Sequence, residues 1–149
     1  MADISIIQAN VVDDGATYPN YPVSITSSKL AGVALVPGDL VYGDTASLWQ
    51  KLQCASSGGT ATLSGYGANG IGVVLNTSAA GQPVSVQTSG AIDIGGNPAP
   101  AAGTVLYGSV NAGKIATSVT TGQYVTIIGQ TVDSSDFVIS PNATNVVHG

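Results

Sequence analysis

The pattern of apolar and polar positions along the chain is that of short β-strands. Apolar and polar residues alternate in residues 84–89 (VSVQTS), 91–94 (AIDI) and 124–127 (YVTI), and such alternation places every second side chain on one face of a half-buried strand. Further strand candidates are residues 40–42, 48–52, 71–75, 104–107, 114–116 and 137–139. Turn residues separate these runs roughly every 8–12 positions, the spacing of a sandwich or barrel. The pattern therefore predicts an all-β fold, a single β-sandwich or β-barrel-like domain.

The first part of the chain lacks this regular alternation. The acidic turn at residues 13–15 and the Tyr-Pro steps at Tyr18 and Tyr21 divide it into short pieces. The residue before a proline is biased towards extended backbone. One interpretation is an extended N-terminal arm (residues 1–22) that packs on a neighbouring subunit, ahead of a β-rich domain (residues 23–149) that folds without it. The other, equally weighted, is a first strand that folds on the core of its own chain.

Two stretches of the domain resemble each other. Residues 38–43 (GDLVYG) and 103–108 (GTVLYG) share a pattern of glycine, any residue, two aliphatic residues, tyrosine and glycine. Residues 70–74 (GIGVV) are echoed by residues 127–132 (IIGQTV). Two passes of one strand unit explain this likeness, with Tyr42 and Tyr107 in a shared structural role; chance similarity between strands rich in glycine and valine is the alternative. The halves of such a repeat are residues 30–96 and 102–143.

The chain has few of the residues that catalysis needs. It contains no arginine and no glutamate, and its ionisable side chains are chiefly eight aspartates, three lysines and one histidine. Charged residues make up 7% of the chain, against about 25% in an average domain. General acid–base catalysis, phosphate binding and nucleic-acid recognition all need convergent ionisable groups. The composition therefore predicts a protein that is not an enzyme and that has no cofactor.

The same composition bears on partners. A surface with few charges is typical of proteins that bury it against other subunits, whereas the net charge of −5 disfavours nucleic acids and anionic membranes. The N-terminal residues show neither the basic nor the apolar region of a secretory signal, so we expect a protein made in the cytoplasm. We expect six apolar or aromatic residues to contact other copies or a larger assembly: Ile4, Ile6, Val11, Tyr18, Tyr21 and Trp49.

Four motifs suggest chemistry, and each has a simpler explanation. Residues 65–70 match the glycine pattern of dinucleotide sites, but a strand-like run follows where that site needs a helix. Residues 13–14 and 133–136 carry oxygen donors suited to Ca²⁺, but without the spacing of an EF-hand. We therefore expect these aspartates to be turn residues and expect no metal site; an adventitious or interfacial ion is the alternative. Cys54 has only His148 as a partner and is expected to be a small core residue.

Two further segments resemble a known family. Residues 70–76 (GIGVVLN) and 80–90 (AGQPVSVQTSG) resemble small capsid decoration proteins of tailed phages, also called head decoration or cement proteins. The likeness continues in residues 102–107, 113–116 and 122–129, so that it covers about residues 30 to 143. Its motifs are patterns of turn glycines and strand residues rather than a chemical signature.

This resemblance implies a virion structural protein that is made in the host cytoplasm. Such a protein binds the outer surface of the capsid, commonly as a homotrimer, and stabilises contacts between subunits of the major capsid protein. The alternative is a receptor-binding or glycan-binding module of a phage fibre or tail, since such modules share similar sequence motifs of glycine, aliphatic residues and tyrosine.

Overall fold

The computed structural model describes residues 3–54, 70–95 and 101–148, and this part of the chain is nearly all β-structure. It contains one short 3₁₀ turn at Gln8–Asn10. The strands are β1 Val11–Asp13, β2 Ser24–Thr26, β3 Leu30–Ala31, β4 Leu40–Gly43, β5 Leu48–Lys51, β6 Ile71–Val74, β7 Val86–Ile94, β8 Val105–Gly108, β9 Ile115–Ala116, β10 Tyr124–Thr131 and β11 Asp136–Val147. The predicted all-β, sandwich-like fold is confirmed. Most of the glycine motif at residues 65–70 lies outside the described residues.

The strands form one open sheet that divides at β7 into two halves. Sheet A has the order β9-β8-β10-β11-β7-β1, and sheet B has the order β3-β5-β4-β6-β7-β2. The first half of β7 pairs with β6 and its second half with β11. Gly90 lies at the junction with a φ of +87°, a backbone conformation that glycine adopts without steric cost. The long strand therefore joins both halves of the sheet.

The main hydrophobic core lies between sheets A and B. Its buried side chains come from both sheets, among them Leu40 on β4, Val73 on β6, Ile92 on β7, Leu106 on β8 and Phe137 on β11. A second, smaller core covers the other face of sheet B; its members are Ala31, Leu35, Val41, Trp49, Val74, Val84 and Val86. Sheet B is therefore covered on both faces. Among the described residues, the outer face of sheet A, which is turned away from the main core, has no second core.

The N-terminal residues pack on their own chain. The backbone N–H of Ile4 donates to the carbonyl oxygen of Ile115 at 2.8 Å, and β1 pairs with the second half of β7, with Val11 opposite Ile94. Ile4 and Val11 are buried in the main core. The structure thus favours the second interpretation, a first strand folded on its own core. Within one chain, β1 pairs with the free edge of β7 and the apolar side chains of the segment are buried in the main core.

The repeat is visible in the order of the strands. β4 pairs with β5 and β6, and β6 pairs with β7; in the same way β8 pairs with β9 and β10, and β10 pairs with β11. Gly72 on β6 and Gly129 on β10 occupy matching places. A Cβ on Gly72 would lie 2.5 Å from the carbonyl oxygen of Gln87, and one on Gly129 would overlap that of Val138. Both glycines allow close contact with the next strand.

The expected shared role of Tyr42 and Tyr107 is wrong. Tyr42 is buried in the main core, whereas Tyr107 is half-buried and follows Leu106, which points into that core. Because successive side chains of a strand point to opposite faces, Tyr107 lies on the outer face of sheet A. The two strands match in sequence and pairing but present opposite faces to the core.

Candidate functional site

Three aspartates from separate segments meet on the outer face of sheet A. Asp93 on β7 lies directly opposite Asp136 on β11, and Asp14 follows the end of β1, which pairs with the other edge of β7. One carboxylate oxygen from each of the three residues lies within 4.8 Å of the other two. The two acidic runs that the sequence separates by more than a hundred residues are therefore adjacent in space, with Asp93 between them. We call Asp14, Asp93 and Asp136 the carboxylate cluster.

Asp133 and its neighbours form the surroundings of this cluster. One carboxylate oxygen of Asp133 accepts hydrogen bonds from the backbone N–H groups of Ser135 and Asp136, each at 2.8 Å. The other accepts a hydrogen bond from the hydroxyl of Tyr18. The hydroxyl of Ser135 donates to Asp136 at 2.9 Å, and Asp93 accepts the backbone N–H of Gly95 at 2.7 Å. The turn after β1 is thereby tied to the turn before β11.

Asp136 is the most confined of these carboxylates. Its side chain is 1% exposed, and its Oδ2 atom has no hydrogen-bond donor among the described residues. A buried ionised carboxylate without full hydrogen bonding is costly. The side chain therefore requires either a proton or a cation at this atom.

The pKa values in the cluster reflect this confinement. Burial, together with a hydrogen bond that requires a proton between the carboxyl groups of Asp14 and Asp136, raises the pKa of Asp136 to about 7, and the same hydrogen bond lowers the pKa of Asp14. Burial acts to raise the pKa of Asp133, but hydrogen bonds from Tyr18 and the backbone of Ser135 lower it overall. The bond to Asp133 also raises the pKa of Tyr18 to about 12. No lysine contributes to these shifts, so within the part of the chain that the structure describes the negative charges are stabilised by hydrogen bonds.

The structure separates the six predicted contact residues into core and surface. Ile4, Val11 and Trp49 are at most 9% exposed, so they are core residues and offer almost no surface to a partner. Trp49 lies in the second core with the ammonium of Lys29 over its ring at 4.7 Å. Large apolar side chains are buried in cores and in interfaces alike, so the sequence pattern could not distinguish these two places.

The other three predicted residues lie nearer the surface. Ile6 packs against the main core and is half-buried. Tyr18 is half-buried beside the carboxylate cluster, and its ring lies 6.5 Å from that of Tyr21. Tyr21 is 43% exposed. Of the six, Tyr21 thus presents most aromatic surface to a partner.

Tyr21 borders an apolar groove on the outer face of sheet A. The groove has a volume of about 440 Å³ and is lined by Tyr21, Val105, Ile127, Gly129, Gln130, Val132, Val138 and Ser140. None of these residues is charged. Sequence reasoning missed Val105 and Val138 as surface residues, although each alternates with a buried neighbour, Leu106 and Phe137. We call this feature the apolar groove.

Cys54 and His148 lie in different environments. Cys54 is fully buried in the main core, and burial raises the pKa of its thiol. His148 is exposed, with its backbone N–H bonded to the carbonyl oxygen of Gln123 at 2.8 Å. Because thiolate formation is disfavoured, Cys54 is suited to packing rather than to nucleophilic chemistry.

Replacing Cys54 by serine is expected to lower the free energy of unfolding by about 1 kcal/mol. Serine is close in size and retains the ability to bond with Thr126, which interacts with the thiol. Urea denaturation of the two proteins measures the difference. A loss of the native fold in Cys54→Ser would contradict a packing role for the thiol.

Comparison with known proteins adds no relative: no family model matches the chain, and no curated protein matches it. Within the described residues, the structure has no helix long and apolar enough to cross a membrane.

Proposed function

We propose that this chain is a structural protein of a phage virion that binds the outer surface of the capsid as a homotrimer and stabilises contacts between major capsid subunits. The apolar groove is the observation that carries the proposal. The likeness of residues 70–90 to capsid decoration proteins and the low content of charged residues support it as well.

The groove has the chemistry of a protein contact. Val105 on β8, Gln130 on β10 and Val138 on β11 lie side by side in the strand register, with Tyr21 at the border. Val105 is 38% exposed and Tyr21 is 43% exposed. Apolar and tyrosine side chains with few charges are typical of the centre of an interface. This surface is suited to a partner that supplies apolar side chains and hydrogen bonds rather than charge.

Charge composition supports a contact of this kind. With three lysines and eight aspartates in the whole chain, ion pairs have little part in the association. Screening by salt weakens contacts between exposed charges and leaves apolar contacts intact. Binding to the shell is therefore expected to persist at high ionic strength.

Replacing Val105 by aspartate is expected to weaken binding to capsid shells at least about tenfold, the equivalent of about 1.4 kcal/mol, because it places a charge in the groove. The measurement is cosedimentation with shells assembled from the major capsid protein of the same phage. Val33→Asp is the matched control. Val33 is 37% exposed and lies between β3 and β4 in the sequence, outside the groove, so this variant should bind shells as the unmodified protein does.

Light scattering of the same variants shows whether the groove contacts other copies of the chain or the capsid. If Val105→Asp becomes monomeric, the groove is the contact between copies; if it stays a trimer and loses the shell, the groove faces the capsid. Equal binding by both variants would show that the groove is not the interface. Failure of the unmodified protein to bind shells, with binding to host cells or glycans instead, would favour the fibre module.

A further inference from the structure

We propose that the carboxylate cluster is a binding site for one divalent cation of the size of Ca²⁺, and that the ion fixes the turn after β1 to β7 and β11. The site does not depend on the proposed capsid function. It uses Asp14 and Asp136, from the two acidic runs that the sequence analysis assigned to turns with an ion as the alternative, together with Asp93, which that analysis did not consider.

The distances suit a single ion. Ca²⁺ binds six to eight oxygens at about 2.3–2.6 Å, so two oxygens on opposite sides of it lie at most about 5 Å apart. The oxygens of Asp14, Asp93 and Asp136 all lie within 4.8 Å of one another. Mg²⁺ binds at about 2.0–2.1 Å and needs a tighter octahedron. One Ca²⁺ can therefore contact all three carboxylates, with water in its remaining positions.

The Oδ2 atom of Asp136 is the independent observation that points to a ligand. It belongs to a side chain that is 1% exposed, and no N–H or hydroxyl group of the described residues donates a hydrogen bond to it. Asp136 also lies directly opposite Asp93 across the β7–β11 pair, and like charges in that position destabilise a sheet. A cation between the strands satisfies the unpartnered oxygen and removes the repulsion.

The three lysines do not take this place. Lys29 lies over the ring of Trp49, Lys51 is on β5 in sheet B, and Lys114 directly precedes β9, which is three strands away from β11. Asp133 does not compete for the ion because its oxygens accept hydrogen bonds from Tyr18 and from the backbone of Ser135 and Asp136. Asp133 is a positioning residue that orients the turn before β11.

An ion at the cluster would also hold in place one border of the apolar groove. Tyr18 is bonded to Asp133 and adjoins Tyr21, which borders the apolar groove. An ion at the cluster holds the turn that carries both tyrosines. The cation is therefore expected to stabilise the fold and the shape of the groove together.

The test is thermal unfolding of the full chain with Ca²⁺, with Mg²⁺ and with a chelator. At a tenfold excess of Ca²⁺ over its dissociation constant, the melting temperature of the unmodified protein is expected to rise by about 3–5 °C. Asp93→Asn and Asp136→Asn should each lose most of this rise. Asp13→Asn should keep it, because Asp13 is exposed and outside the cluster while its substitution changes the net charge equally.

Titration calorimetry with CaCl₂ measures the stoichiometry and the affinity. We expect one ion per chain, and we expect Asp93→Asn to bind Ca²⁺ at least about tenfold more weakly than the unmodified protein. Without Ca²⁺, Asp136→Asn should be at least as stable as the unmodified protein, since an amide carries no charge into the interior. If that variant does not fold, Asp93→Asn decides the question.

Three results would overturn the proposal. Absence of both heat and a melting shift at millimolar Ca²⁺ would show that the cluster binds no ion and would leave the hydrogen bond between Asp14 and Asp136 to satisfy the buried carboxyl group. An equal shift in Asp93→Asn would place the ion elsewhere. A larger shift with Mg²⁺ than with Ca²⁺ would contradict the size of the site.

Discussion

Gly129→Ala is expected to lower the free energy of unfolding by about 4 kcal/mol or more, a large part of the 5–15 kcal/mol that is typical of a domain. A Cβ at this position of β10 would overlap the carbonyl oxygen of Val138 on the paired strand β11. Backbone atoms of a central strand cannot move aside without opening the pair. Urea denaturation, or the yield of folded protein where the variant does not fold, measures the effect.

Gly32→Ala is the control for this prediction. There the added Cβ would also be too close to a neighbour, but that neighbour is the amide end of Gln50, a flexible side chain that can rotate away. Its cost is expected to be about 1 kcal/mol or less. If Gly129→Ala is as stable as Gly32→Ala, then β10 and β11 do not approach as closely as the structure indicates.

Deleting residues 2–22 is expected to unfold the protein. The segment contributes Ile4 and Val11 to the main core, and burial of each such side chain contributes about 1.5–3 kcal/mol. The deletion also removes β1 and exposes the edge of β7. The arm interpretation predicted the opposite, a folded domain without these residues. Circular dichroism and size-exclusion chromatography of the truncated protein distinguish the two outcomes.

A single substitution tests the same point with less disturbance. Ile4→Ala should lower the free energy of unfolding by about 2–5 kcal/mol, because the side chain is 8% exposed and its loss leaves a cavity. Ile7→Ala is the matched control: Ile7 is 47% exposed, so the cost should be below about 1 kcal/mol. A truncated protein that remains folded, with a harmless Ile4→Ala, would restore the arm interpretation.

Much of the fold follows from local pattern. Alternation and turn residues located β4, β5, β6, β8 and β9 to within a residue or two, because a strand with one buried face must alternate. The predicted strands at residues 84–89 and 91–94 were separate, but residues 86–89 and 91–94 lie in the single strand β7, because Gly90 allows the backbone to bend without ending the strand. A glycine in the sequence allows an unusual backbone conformation, but the sequence does not show whether the strand ends there or bends and continues.

Two features depended on pairing that no local pattern contains. The first 22 residues carry weak alternation, so local pattern did not show that Val11–Asp13 pair with the free edge of β7 on their own chain. In the carboxylate cluster, Asp14, Asp93 and Asp136 come from β-segments far apart in sequence, and a shift of one residue in register would turn Asp93 or Asp136 to the other face. Composition and short-range order were enough to predict the β-class, the repeat and the scarcity of charge. Which aspartates meet and which apolar residues stay exposed depend on how distant strands align, so these two features became visible only in the folded chain.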